Sequence, residues 1–182
     1  MSDKPIWLLD VDGVINAFDE SGPVMGDWGD WTGFTARGFP IRYSPKMIAR
    51  ILALHEADRV EVRWLTTWGR HANTDLPELG LPEFAVAAEM PFRERDGWWK
   101  LPVAQELFDQ GHAIIWTDDD MAFVSDAQDW LRAVGQTARG LVDLHAFAPK
   151  GAISQAEMDG IEAWLAARTP LGEHSSNPRE DA

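Results

Sequence analysis

Cysteine is absent from the 182 residues. That removes disulfides, thiolate nucleophiles and cysteine-ligated metals, and it leaves the redox compartment open. Basic residues are scarce: 16 Lys and Arg stand against 30 Asp and Glu, a formal net charge of −14. This balance favours solubility and argues against non-specific binding to nucleic acid or an anionic membrane. A local cation and a few arginines can still admit an anionic substrate. No apolar run approaches the roughly 18 residues of a membrane span. The N-terminus has neither a basic region nor a long apolar segment, so no secretory signal is expected, and a cytoplasmic protein is the default.

Tryptophan, by contrast, is abundant, with ten residues. Several flank polar positions: Trp28, Trp31, Trp64, Trp68, Trp98, Trp99 and Trp116. Such rings line a pocket or fill a core, and the sequence leaves both open.

Strand-like and helix-like segments alternate without an internal repeat. Apolar runs at Ile6–Leu9, Val60–Leu65, Phe84–Ala88, Ala113–Trp116 and Leu141–Leu144 read as five strands. Ser44-Pro45 opens a helix with Met47, Ile48, Ile51, Leu52 and His55 on one face. Leu101–Gln110 is a second helix, stopped by Gly111, and Asp126–Val134 a third, ended by Gly135. Ser154-Gln155-Ala156-Glu157 is a capping box for the last helix, whose buried face carries Met158, Ile161 and Leu165. Residues 17–43 have no helical period and read as a long loop or small hairpin flap. The alternation predicts an α/β domain over residues 1–168, a three-layer α/β/α Rossmann-like fold around a parallel sheet. A polar tail follows over residues 169–182.

In such a fold, ligands bind at the carboxyl ends of the strands. The first strand ends in Asp10-Val11-Asp12-Gly13. Residues i and i+2 of an extended chain point the same way, so the two carboxylates can converge, and a hard divalent cation relieves their repulsion. Thr66 and Thr67 follow the second strand. Thr117, Asp118, Asp119 and Asp120 follow the fourth. Lys100 opens the helix between the third and fourth. Singly, each has a bland reading: a loop turn, a solvated acidic turn, a strand-end hydroxyl, a surface lysine. Their order along the chain joins them into one constellation.

Leu8-Leu9-Asp10-Val11-Asp12-Gly13-Val14, Trp64-Leu65-Thr66, Lys100 and Ile115-Trp116-Thr117-Asp118-Asp119 together resemble the four motifs of the haloacid dehalogenase superfamily of phosphohydrolases. The resemblance covers roughly residues 5–145. Thr67 competes with Thr66 for the second motif, and Arg93 or Arg95 with Lys100 for the third. The Trp-Leu-Thr-Thr-Trp and Trp-Thr-Asp-Asp-Asp runs are similar to a small-cap branch, the domains of that superfamily in Swiss Army Knife RNA repair proteins.

The resemblance implies an Mg²⁺-dependent phosphatase working through an aspartyl-phosphate. Asp10 would be the nucleophile, and Asp12 would move protons to the leaving group and from water. Asp10, the backbone carbonyl of Asp12, and Asp118 would hold Mg²⁺, with Asp119 joining directly or one layer out. Thr66 would donate to a phosphoryl oxygen and Lys100 would offset charge. Gly13 would let the backbone turn and present N–H groups.

The flap is too short for a large helical cap, so an open site is expected. Arg37, Arg42, Tyr43, Trp28, Trp31, Thr67 and Trp68 are candidate substrate contacts there, unless the flap merely packs on itself. His71 either faces the site or lies on the surface. The expected partner is a phosphorylated small molecule or nucleotide. The alternatives are a nucleic-acid end phosphatase in a repair system, which the charge disfavours, or a catalytically weak phospholigand-binding module. Haloalkanoate dehalogenation ranks lower, because it has no need of Asp12 or the acidic cluster.

Overall fold

The computed structural model describes residues 4–17, 25–92, 97–137, 144–147, 149 and 151–168. The elements in chain order are β1 (Ile6–Leu9), α1 (Met25–Trp28), β2 (Thr32–Ala36), β3 (Phe39–Tyr43), α2 (Pro45–Glu56), β4 (Glu61–Trp64), α3 (His71–Asp75), β5 (Ala85–Val86), α4 (Leu101–Asp109), β6 (Ile114–Thr117), α5 (Ser125–Thr137), β7 (Leu144–Phe147) and α6 (Gln155–Arg168). β1, β4, β5, β6 and β7 form one sheet in the order β5-β4-β1-β6-β7, and every pairing in it is parallel. The result is the expected three-layer α/β/α Rossmann-like arrangement.

Alternation along the central strand builds the two outer layers. Trp7 and Leu9 of β1 pack with Met47, Ile48 and Ile51 of α2 and Met158, Ile161 and Leu165 of α6. Ile6 and Leu8 pack on the other face with Leu101 and Ala104 of α4 and Ala127 and Val134 of α5. Both faces of β1 are covered, so all four of its residues are buried and apolar. Trp7, Trp64 and Trp116 are fully buried as well, which makes them core filler.

The chain runs outward from β1 through β4 to β5, then crosses back to β6 and β7 on the other side of β1. Strand order therefore reverses between β1 and β6, where an open α/β sheet forms its ligand crevice.

Helix ends follow the predicted signals. Ser44 caps α2, its hydroxyl accepting from Met47 N at 3.2 Å and donating to Asp30 at 2.5 Å. Ser154 and Glu157 form the capping box, with Ser154 N donating to Glu157 at 2.8 Å. Gly111 takes φ +83° where α4 ends.

Three expectations need correction, and of the two forms expected for the flap, a long loop or a small hairpin, the chain takes the hairpin. The third strand is only Ala85–Val86, not Phe84–Ala88. The Asn73 side chain occupies both the N–H and the carbonyl of Phe84, at 3.1 and 2.9 Å, in place of a ladder. The fifth strand is Leu144–Phe147, because only that register sets Leu144 opposite Ile114 and Phe147 opposite Thr117. Residues 141–143 lie outside the described residues. α5 passes through Gly135 to Thr137, a cost of about 1 kcal/mol that a helix absorbs. The flap is an antiparallel hairpin, β2 with β3, preceded by the short α1. Its two-residue turn, Arg37-Gly38, has φ +51° and +83°, the type I′ geometry that matches strand twist. The tail from residue 169 lies outside the described residues.

Among the described residues no helix is long and apolar enough to cross a membrane.

Ser44→Ala removes the buried cap of α2 and leaves Asp30 with only the Lys46 N–H of its two donors. A loss of about 1–2 kcal/mol is expected in chemical denaturation, and an unchanged midpoint would contradict the capping role.

Candidate active site

The three loops that leave β1, β4 and β6 meet at the crevice. β1 pairs with both other strands in register, Leu9 opposite Trp64 on one side and Thr117 on the other. The residues just beyond, Asp10, Thr66 and Asp118, therefore emerge at one level. Asp10 N donates to Thr117 O, closing the gap between the two loops.

Lys100 stands at the start of α4. Its ammonium is only 1% exposed and lies 2.5 Å from Asp10 Oδ2 and 2.7 Å from Asp118 Oδ2. The Trp98 and Trp99 rings lie 5.7 and 5.9 Å from it. The structure thus brings Lys100 to Asp10 and Asp118; Arg93 and Arg95, which competed with it in the sequence, lie outside the described residues.

The second carboxylate oxygens are also engaged. Val11 N donates to Asp10 Oδ1 at 2.7 Å and Asp120 N to Asp118 Oδ1 at 3.1 Å. Asp119 rests against Gly13, where an added Cβ would come within 2.2 Å of its Cγ. Gly13 has φ +69°, so two independent constraints require glycine there. Asp120 is exposed, and Thr117 turns inward to accept from Trp7 Nε1 at 3.1 Å.

The two threonines separate. Thr66 is buried beside Asp10 and helps hold its negative charge, whereas Thr67 lines the neighbouring cleft.

Asp10, Asp118 and Asp119 each offer an oxygen within 4.8 Å of the others. Oxygens sharing one octahedral Mg²⁺ are about 3 Å apart when adjacent and about 4.2 Å when opposite, so the three carboxylates stand near enough to converge on one ion through side-chain adjustment. The charge balance fits as well: three carboxylates surround one ammonium. Burial raises the pKa of Asp10 despite the opposing pull of Lys100. Burial, then repulsion from Asp10, pushes Asp118 up to about 8. Burial, then repulsion from Asp120, pushes Asp119 up to about 6. Burial works against the charge on Lys100, but Asp10 and Asp118 outweigh it and raise its pKa. A hard divalent cation is the group this donor set suits.

Asp12 sits one step outward, at the edge of a cleft of about 570 Å³. Asn16 Nδ2 donates to its Oδ1 and Trp68 Nε1 to its Oδ2, both at 2.9 Å. Arg37, Arg42, Thr67 and Trp68 all line this cleft, as expected. Three other candidates do not. Trp28 is buried and donates to Ile153 O. Trp31 packs against the core beneath the flap. The Tyr43 hydroxyl is taken by Glu78 O at 2.9 Å. His71 is half-buried, with Nδ1 3.0 Å from Arg37 Nη2, and so reaches the cleft only through that arginine.

Sequence reasoning missed Asn16 and Phe39. Asn16 is buried, and besides Asp12 its Nδ2 reaches Pro40 O at 3.4 Å while its Oδ1 accepts from Arg42 N at 2.8 Å. A lone amide at the end of an apolar run was the available signal. Phe39 stands exposed at the hairpin tip over the cleft.

Comparison with protein-family models, curated proteins and solved structures finds no match to this chain.

The raised carboxyl pKa values fix the sign of a pH effect. From the ordinary carboxyl value of 3.8 up to about 8, folded Asp118 holds a proton that the unfolded chain has released. Its contribution is complete below 3.8 and is lost as pH rises through 8. Without divalent cation, thermal stability should fall between pH 6.5 and pH 9. Millimolar Mg²⁺ should flatten that fall, and so should Asp118→Asn without metal. A flat or rising metal-free profile would refute the charge balance described.

Proposed function

We propose that the chain is a metal-assisted phosphohydrolase of the haloacid dehalogenase type, cleaving phosphate monoesters through an aspartyl-phosphate on Asp10. The observation that carries this reading is the buried ammonium of Lys100 shared between Asp10 and Asp118. A structural ion pair needs one partner of each sign; here a third carboxylate, Asp119, is drawn in against Gly13. Concentrating acids at a strand-end crevice is costly for stability alone, and it makes sense where a cation and a phosphoryl group are to be received.

Mg²⁺, held by Asp10, the Asp12 carbonyl, Asp118 and Asp119, would supply neutralisation of the phosphoryl oxygens. The chain's own groups do the rest. A carboxylate oxygen of Asp10 attacks phosphorus as the ester P–O bond breaks, and the leaving oxygen takes a proton from Asp12. Asp12 then removes a proton from water, whose oxygen attacks the same phosphorus. The bond to Asp10 breaks, inorganic phosphate leaves, and Asp12 is again protonated. Lys100 steadies the charge on Asp10, and the Thr66 hydroxyl donates to a phosphoryl oxygen. Asn16 and Trp68 fix the Asp12 carboxylate at the mouth of the cleft.

The test is phosphate release from a panel of phosphoesters, with Mg²⁺ and with EDTA. Wild type should be active only with the metal, and Asp10→Asn should fall to background. Asp12→Asn should lose about 10²–10⁴-fold on alkyl phosphates, but far less on p-nitrophenyl phosphate, whose leaving group departs without a proton. Equal activity of Asp10→Asn and wild type, or no metal-dependent release from any ester, would refute the proposal.

A further inference from the structure

We infer that the cleft beside Asp12 selects a mononucleotide carrying a second phosphoryl group, with the base held by Phe39 and Trp68 and the second phosphoryl group by Arg37 and Arg42. This inference rests on the proposed phosphatase reading for the fate of the ester, but not for the binding.

The position of Trp68 comes first. Its Nε1 is 2.9 Å from Asp12 Oδ2, so any leaving group that takes a proton from Asp12 departs against the indole. Phe39 lies 6.4 Å from that indole at 79°, and the two rings form an apolar corner. Phe39 is 63% exposed, a ring held out just after the hairpin turn. A planar ligand ring can stack on one of these rings and meet the other with its edge, the pair geometry aromatic groups favour.

Charge comes second. The chain carries −14 overall, yet among the described residues the charged groups lining the cleft are Arg37 and Arg42 against Asp12. Arg37 is pre-set, because its backbone is fixed in the left-handed turn at φ +51° and its guanidinium is braced by Asp75 and His71. Arg42 is anchored through its N–H on Asn16. Guanidinium groups match phosphate geometry with paired donors.

Size comes third. About 570 Å³ lies within the range of small-molecule pockets and exceeds what a bare phosphate needs. An aromatic corner next to two guanidiniums, all on the leaving-group side of Asp12, describes a nucleoside bearing two phosphates. Hydrolysis would consume one water and yield a nucleoside monophosphate and inorganic phosphate. A mononucleotide is favoured over a nucleic-acid end because the chain's net charge of −14 disfavours a long polyanion.

The test is calorimetric titration under non-turnover conditions, using wild-type chain in EDTA and Asp10→Asn with Mg²⁺. The probes are adenosine 3′,5′-bisphosphate, AMP, glycerol phosphate and a 5′-phosphorylated hexanucleotide. The bisphosphate should bind at least about tenfold tighter than glycerol phosphate, with AMP between them. Arg37→Gln and Arg42→Gln should each weaken the bisphosphate about tenfold and bring it toward AMP. Phe39→Ala should weaken both nucleotides and leave glycerol phosphate unaffected. Equal affinity for glycerol phosphate and bisphosphate would overturn the inference, and tighter binding of the hexanucleotide would overturn the mononucleotide assignment. Nucleotide preference without turnover by wild type would sustain the binding site and sink the phosphatase reading. Metal-dependent turnover without nucleotide preference would do the reverse.

Discussion

One buried ammonium organises this molecule. Lys100 joins the end of β1, the end of β6 and the start of α4 through two contacts of 2.5 and 2.7 Å. Removing one member of such a group leaves uncompensated charge in a low-dielectric site, at a cost of about 3–5 kcal/mol. The tryptophans beside Lys100 belong to the same arrangement. Trp98 stacks on the core residue Trp116 at 5.2 Å and 19°, so the wall over the ammonium is continuous with the hydrophobic core. The acidic crevice is thereby seated directly on the packed core.

The parallel sheet does the remaining positioning. Four-residue strands in register end together, and whatever follows them is brought to one rim. Because the order reverses between β1 and β6, the loops after these two strands diverge and leave room. Asp10 and Asp118 are neighbours for that reason, although 107 residues separate them by their numbering. The cost is chiefly burial of charge, which raises the pKa values of Asp10, Asp118 and Asp119, with repulsion from neighbouring carboxylates adding to it at Asp118 and Asp119.

This logic explains what the sequence made legible. Asp10, Thr66, Lys100 and Asp118 could be read because each stands directly beside a strand or helix boundary, and those boundaries are marked by apolar runs and caps. Thr67 competes with Thr66 in the sequence because both follow β4; in the structure burial beside Asp10 sets Thr66 apart. The flap was seen as a segment without helical period, but its hairpin rests on a type I′ turn with an arginine in the left-handed region, a residue type that gives little warning. Trp28, Trp31 and Tyr43 were grouped with the cleft because they share the flap. Their neighbours are set by how the hairpin folds back on the core, information that resides in tertiary contacts. The short β5 was overestimated because Phe84 has the composition of a strand residue, while the Asn73 side chain that claims its backbone lies 11 positions away.

Asn16 shows how a small flap can be tied to an acidic centre without a separate cap domain. Its Nδ2 carries two hydrogens, with acceptors at Asp12 Oδ1 and Pro40 O, while its Oδ1 accepts from Arg42 N. Only an amide satisfies this pattern: a carboxylate would set acceptor against acceptor at Asp12 and Pro40, and an aliphatic side chain would leave the buried Arg42 N–H without its partner. One side chain therefore fixes both the carboxylate proposed to move the proton and the β3 strand that carries Arg42 and begins at Phe39. A displacement of the hairpin must strain the hydrogen bond to Asp12. The seating of the flap and the placement of Asp12 are then coupled through a single buried residue, so even with an open mouth the site depends on the flap to hold Asp12 in position.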